Sequence, residues 1–85
     1  MKGKVTHYFG KVNVAVVKMD GDLKIGDTLY FLGRDIDFNQ TIESMEIDHN
    51  QVEHVKAFQE VAIKVDQKAP KYTMVYKTEL LSSRG

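Results

Sequence analysis

The stretch that most constrains the fold runs from Gly21 to Gly33 and holds two turns followed by a strand. Gly21 and Gly26 can adopt positive φ without steric cost, so each is predicted to form a turn. Asp27 is expected to hydrogen-bond back to nearby backbone N–H groups and steady the second turn. Residues 28–32 are rich in β-forming side chains and predict a strand. The same stretch would also serve as an ordinary connection in any all-β domain.

Short strands separated by turns account for most of the remaining chain. The clearest spans residues 12–19, where β-branched valines suit a pleated surface better than a helix. Its apolar residues fall on both faces, which predicts a strand that is well buried or covered by a neighbour at one end. Further strands are predicted at residues 3–9, 38–47, 52–57, 60–65 and 72–77.

The alternation of apolar residues predicts which side chains form the core. In the first strand it places Val5, His7 and Phe9 on one face. Between Ile42 and Met45 the apolar pattern slips by one residue, which is what a β-bulge produces. The residues expected to be buried together are Val14 or Val16, Leu29 or Phe31, Ile42, Val61 and Ile63, and Val65 is expected to face inward on the same strand as the last two.

These strands predict an all-β fold. We expect a small closed or nearly closed antiparallel β-barrel of Greek-key type with six to seven strands, since closure removes the edges on which small sheets aggregate. The 85 residues allow one domain, residues 1–85, with the barrel at about 3–77 and a C-terminal tail at 78–85.

Composition narrows the functional classes. The formal net charge is zero, which argues against a strong global attraction to nucleic acid or anionic membrane. Residues 1–19 and 61–85 are nevertheless basic, whereas residues 20–60 carry ten acidic residues against three basic ones. There is no cysteine, and no apolar run is long enough to cross a bilayer. A cytoplasmic protein without a membrane association is therefore expected.

Little in the sequence predicts catalysis. The phosphate-binding pattern of nucleotide hydrolases is absent, so no nucleotide is expected to bind this chain alone. His49 and His54 are five residues apart, a spacing that suits neither one helix face nor one strand face, and no metal site is predicted. We expect no enzymatic activity, no catalytic residue and no cofactor.

Lysines and tyrosines near the two ends of the chain form the candidate binding site. If the first and last strands lie side by side, these residues would make one basic face with aromatic rings, able to contact a nucleic-acid backbone. Tyrosines at strand ends also anchor their hydroxyls in solvent, and charges distribute in this way on many solvated surfaces. The candidate nucleic-acid-binding residues are Lys2, Lys4, Lys71, Tyr72, Tyr76 and Lys77.

Five short segments follow one another along the chain: Gly3-Lys-Val-Thr, Val14-Ala-Val-Val-Lys, Leu23-Lys-Ile-Gly-Asp27, Ile42-Glu-Ser-Met45 and Val61-Ala-Ile-Lys-Val65. In this order they resemble the second domain of the translational GTPases, the β-barrel that follows the G domain in elongation factor Tu. The family has a glycine near Phe58 and Gln59, where this chain has none.

The resemblance implies a freestanding, elongation-factor-like barrel that acts as a non-catalytic binding module in translation. Its partner would be RNA or a ribosome-associated factor. Related barrels also occur as accessory domains of collagenase-like peptidases. The alternative function is therefore a protein-interaction domain that docks on a larger enzyme of that kind.

Overall fold

Residues 1–77, which this computed structural model describes, form β-strands joined by turns and contain no helix. The prediction of an antiparallel all-β fold is confirmed, and no described segment is a helix able to cross a membrane. The predicted tail, residues 78–85, lies outside the described residues. Within the described range the strands are β1 (Lys2–Phe9), β2 (Val14–Met19), β3 (Leu23–Lys24), β4 (Thr28–Gly33), β5 (Ile36–Thr41), β6 (Met45–Ile47), β7 (Asn50–Gln51), β8 (His54–Val55), β9 (Glu60–Lys64) and β10 (Met74–Lys77).

Eight of these strands form one antiparallel sheet, in the order β5-β4-β10-β1-β2-β9-β6-β7. The short strands β3 and β8 pair with each other in a second sheet. The first strand lies beside the last, with Lys2 opposite Tyr76 and Lys4 opposite Met74. The two basic ends of the chain are therefore neighbours in the sheet.

The sheet does not close into a barrel, so the prediction of a closed or nearly closed barrel with six to seven strands is wrong in its closure, and residues 1–77 form ten strands. Its outer strands, β5 and β7, are not paired with each other. After β5 the chain turns away, because the Ile42 N–H donates to the Asp27 carbonyl and the Ile42 carbonyl accepts from Gly26 N–H, at 2.8 and 2.9 Å. The predicted strand 38–47 is thereby split into β5 and β6.

A side chain partly bridges the gap that remains between β5 and β9. The Gln40 amide donates from Nε2 to the Lys64 carbonyl at 2.9 Å. Its Oε1 accepts from the Asp66 N–H at 2.8 Å. One glutamine thus joins two parts of the chain that no backbone ladder connects.

The core lies on the inner side of the sheet and largely matches the predicted residues. Val61, Ile63 and Val65 are all buried, and Phe31 stacks on Phe38 with ring centroids 4.8 Å apart. Leu29 and Ile42 are buried as well. In β2 the prediction chose the wrong face. The residues of that strand that enter the core are Ala15, Val17 and Met19, whereas Val14 and Val16 are half-buried on the outer side.

A β-bulge also reverses the faces of β1 half-way along the strand. The pairing of β1 with β2 shifts between Val5 and His7. Val5 is therefore buried, but His7 and Phe9 point outwards and Tyr8 packs against the core. The expectation that Val5, His7 and Phe9 share a face is wrong because the extra residue changes the parity of every later side chain.

The turns at Gly21 and Gly26 require glycine for different reasons. Gly26 has a φ of 97°, and Asp27 accepts a 3.0 Å hydrogen bond from Lys24 N–H across the turn, as predicted. Gly21 does not have positive φ, so that part of the prediction is wrong. A Cβ at Gly21 would instead overlap the side chain of Met1. Gly21 is therefore needed for space, and Gly26 for its backbone conformation.

Candidate docking surface

The outer side of the sheet carries an exposed apolar surface, which we call the valine face: Phe9, Val12, Val14, Val16 and Ala62. Two cross-strand rows place most of these residues together. Phe9 lies opposite Val14, and Val16 lies opposite Ala62. Side chains of directly opposed residues share one side of a sheet, so the rows form a continuous surface.

The valine face is poorly covered by the rest of the described chain. Phe9 is 54% exposed and Val12 is 55% exposed, both high for large apolar side chains. The hollow over this surface has a volume of about 470 Å³. Apolar patches with a polar border often mark protein interaction sites. The sequence carried the signal for this surface, because the valines of 12–16 alternate with a second apolar set that forms the core.

Polar side chains of both charge signs border the valine face, with Lys64 directly opposite Val14. Glu46, Asp48 and His49 line one side of the hollow. Asp48 and His49 form the two-residue turn between β6 and β7, both with positive φ, 52° and 66°. This is the backbone of a type I′ hairpin, which holds the rim in a defined position. His7 packs against Phe9, with ring centroids 6.4 Å apart.

Asp27 ties the second turn to the last strand. Its carboxylate accepts from Lys24 Nζ at 2.9 Å and from Lys77 Nζ at 3.0 Å, and its side chain is only 5% exposed. Burial raises the pKa of Asp27, but the hydrogen bonds from Lys24 and Lys77 outweigh that effect and the pKa lies below the usual value. Lys77 is thus part of a structural ion pair.

The other candidate nucleic-acid residues lie along the paired strands β1 and β10 and the turn before β10. Lys2, Lys4 and Tyr76 belong to the two strands. Lys71 and Tyr72 precede β10, where the Tyr72 N–H donates to the Val5 carbonyl of β1 at 2.8 Å and the Lys71 ammonium is 5.3 Å from the centre of the Tyr72 ring. Lys77 forms an ion pair with Asp27.

The described residues hold no group of side chains typical of a metal site. Within 1–77 no three His, Asp or Glu side chains lie together in a way that could hold a metal ion. The hydrogen bond from the Tyr30 hydroxyl to Asp37, at 2.8 Å, raises the pKa of this tyrosine and links β4 to β5. This surface contact is structural, since β4 and β5 are paired strands.

Comparison with known proteins supplies the context for this surface. No family model matches the chain. Its fold matches crystal structures of the C-terminal domain of a Geobacillus thermoleovorans protein described as a U32 peptidase. The TM-score is 0.82 at 29% identity, over 88% of this chain and 95% of that domain for the selenomethionine variant. A second structure of that domain gives the same TM-score and identity over 91% and 90%.

The chain is similar to the C-terminal domain of this U32 peptidase. An uncharacterized protease of Methanocaldococcus jannaschii is also similar, with 33% identity over 75 residues. The match covers 87% of this chain but 18% of that protein, so the chain spans less than a fifth of the relative's length.

These U32 peptidase relatives overturn the resemblance to the second domain of the translational GTPases. The segments behind it are short strand and turn patterns, such as Gly26-Asp27, that many all-β chains share. The assignments to translation, to an elongation-factor-like protein and to RNA binding are therefore wrong. The alternative, an accessory domain of a peptidase, is the one that agrees with the relatives.

Proposed function

We propose that this chain is a non-catalytic accessory domain that docks on the catalytic part of a U32-type peptidase through the valine face. This catalytic part belongs either to the same polypeptide or to a separate one. The observation that carries the proposal is the match to 95% of a domain that is itself one part of a larger peptidase protein. In this reading the chemistry belongs to the rest of the peptidase, and this domain supplies binding.

The chemistry of the valine face suits contact with another folded domain. Interfaces have an apolar, desolvated centre and a polar rim. Here Phe9 and Val12 provide exposed apolar area, and Glu46, Asp48 and Lys64 lie at the border. Burying this surface would remove apolar area from water, which stabilises a complex by about 25 cal/mol for each Å² buried.

Affinity capture combined with cross-linking tests this proposal. The tagged domain is incubated in lysate of its source organism, with and without nuclease, and the captured proteins are identified by mass spectrometry. We expect a protein with U32 peptidase sequence, cross-linked to Lys11 or Lys64 near the valine face and insensitive to nuclease. Lys64 lies opposite Val14 in the sheet.

Two variants make the result specific to the surface. Val14→Glu places a charge on the valine face and should abolish recovery of the peptidase. Asn39→Glu is the matched control, because Asn39 is exposed on the distant strand β5 and should have no effect. Nuclease-sensitive capture of ribosomal proteins, or equal recovery of the peptidase by Val14→Glu, would contradict the proposal.

A further inference from the structure

We propose that a second surface, the lysine groove, binds an acidic peptide segment. The groove is formed by Lys2, Lys4, Lys18, Phe58 and Met74, with Gly3, Met19 and Asp20 completing its lining. Its volume is about 330 Å³, at the lower end of the range for ligand sites. It shares no residue with the valine face.

The three lysines concentrate positive charge, and none of them forms an ion pair within the described residues. Lys4 lies directly opposite Lys18 across β1 and β2. Like charges in this position destabilise a sheet. Lys2 stands two residues from Lys4, on the same side of β1.

Two acidic residues lie near these lysines and offset part of their charge. Glu60 is opposite Lys18 on the other neighbouring strand. Asp20 lines the groove, and its Oδ1 accepts a 2.9 Å hydrogen bond from the backbone N–H of Lys2. Three lysines against two carboxylates leave a small excess of positive charge, which is complementary to carboxylates on a ligand.

Phe58 supplies the apolar side of the groove. Its side chain is 66% exposed and its φ is 68°, a conformation that is costly for a bulky residue. The surrounding turn holds it there: Phe58 N–H donates to the Met19 carbonyl at 2.8 Å, and Ala57 N–H donates to Asp22 Oδ1 at 2.9 Å. Strained residues held in this way are common at binding sites.

A ligand for this groove combines carboxylates with at least one apolar side chain. Phe58 and Met74 would contact the apolar group, and methionine adapts easily to different shapes. A peptide with alternating acidic and apolar residues meets both needs. RNA fits less well, since one exposed ring offers a single stacking position. The choice of a peptide also agrees with the proposed link to a peptidase, and to that extent rests on it.

Fluorescence anisotropy with three labelled probes tests the inference. The probes are a pentapeptide of alternating glutamate and leucine, the same peptide with lysine for glutamate, and a single-stranded oligouridylate. We expect the purified chain to bind the acidic peptide with an affinity that falls as salt rises, because exposed charges are screened. The basic peptide and the oligouridylate should bind at least about tenfold more weakly.

Substitutions then locate the site. Lys4→Gln/Lys18→Gln and Phe58→Gly should each weaken binding of the acidic peptide by about tenfold or more. Glycine suits the backbone at position 58, so the second variant should keep its fold. Lys11→Gln/Lys68→Gln removes two exposed lysines outside the groove and should bind as the wild type does.

The results separate this inference from the proposed function. Equal binding of acidic and basic peptides, tighter binding of oligouridylate, or unchanged binding by both groove variants would overturn the inference. Val14→Glu, which should lose the peptidase, should still bind the acidic peptide. Loss of peptide binding in Val14→Glu with an unchanged thermal midpoint would place the peptide on the valine face and likewise overturn it.

Discussion

At the scale of single residues, Asp27 has the clearest electrostatic role. It joins Lys24 in the second turn to Lys77 in the last strand through hydrogen bonds of 2.9 and 3.0 Å. Its place in the turn with Gly26 could be predicted from the sequence. Its partner Lys77 could not, because the contact spans fifty residues and depends on where β10 enters the sheet.

The lowered pKa of Asp27 makes stability depend on pH. The charged carboxylate stabilises the fold fully above the pKa of the unfolded chain, about 4, and this contribution is lost as pH falls through the lower folded pKa. Urea unfolding between about pH 5 and 2 should therefore show a smaller acid loss for Asp27→Asn than for wild type. Asp66→Asn, at an exposed carboxylate outside any described ion pair, is the control and should follow the wild-type curve.

Gly26→Ala should destabilise the domain by about 1–2 kcal/mol, because alanine is disfavoured at positive φ. Steric crowding is not the reason, since nothing lies within 4 Å of an added Cβ. Gly10→Ala is the control, because Gly10 lacks positive φ and its added Cβ would meet only Tyr8, at 3.5 Å. Chemical unfolding measures both variants. A loss at Gly26 no greater than at Gly10 would show that the conformation does not matter.

At the scale of strands, the sequence predicts which segments form strands better than it predicts how those strands pair. The alternation in 60–65 identified β9 and its buried face because one side is uniformly aliphatic. The bulge between Val5 and His7 cannot be recognised in the sequence, because the apolar Phe9 continues the alternation that starts at Val5 although its side chain faces outwards. Closure failed as a prediction for a related reason: the hydrogen bonds of Ile42 go to a turn, and no local pattern encodes that choice.

Ile63→Ala should cost about 2–5 kcal/mol, because its side chain is fully buried in the middle of the core. Val16→Ala provides the comparison, since Val16 is an aliphatic residue on the outer side of the adjacent strand β2 and is only half-buried. Its loss should be clearly smaller. Equal losses in urea unfolding would mean that the inner and outer faces of the sheet contribute alike.

Gln40→Ala should lower stability by roughly 1–2 kcal/mol, because it removes two hydrogen bonds that link β5 to the end of β9. Asn39→Ala is a suitable control: its side chain is exposed on the same strand. If both variants unfold at the same urea concentration, the bridge does not hold the two ends of the sheet together.

At the scale of the whole molecule, the surface separates into two candidate sites. The apolar residues on both faces of the strand 12–19 predict that a neighbouring segment covers the outer face. In the described structure that face is the valine face, which remains poorly covered. The lysine groove was not predicted as such, because Lys18 and Phe58 reach Lys4 only through the pairing of β1 with β2 and the turn before β9. The likeness to a peptidase domain is visible over the length of the chain, in 33% identity over 75 residues and in the fold, whereas each short segment is common to many β proteins.

Side-chain footprinting by hydroxyl radicals on the domain bound to its captured peptidase tests the central claim most directly. Phe9 and Val12 are both more than half exposed in the described structure and should be labelled in the free domain. The account predicts that both lose labelling in the complex, while Phe58 on the other surface stays labelled. Unchanged labelling of Phe9 and Val12 in a complex that protects other side chains would contradict docking through the valine face.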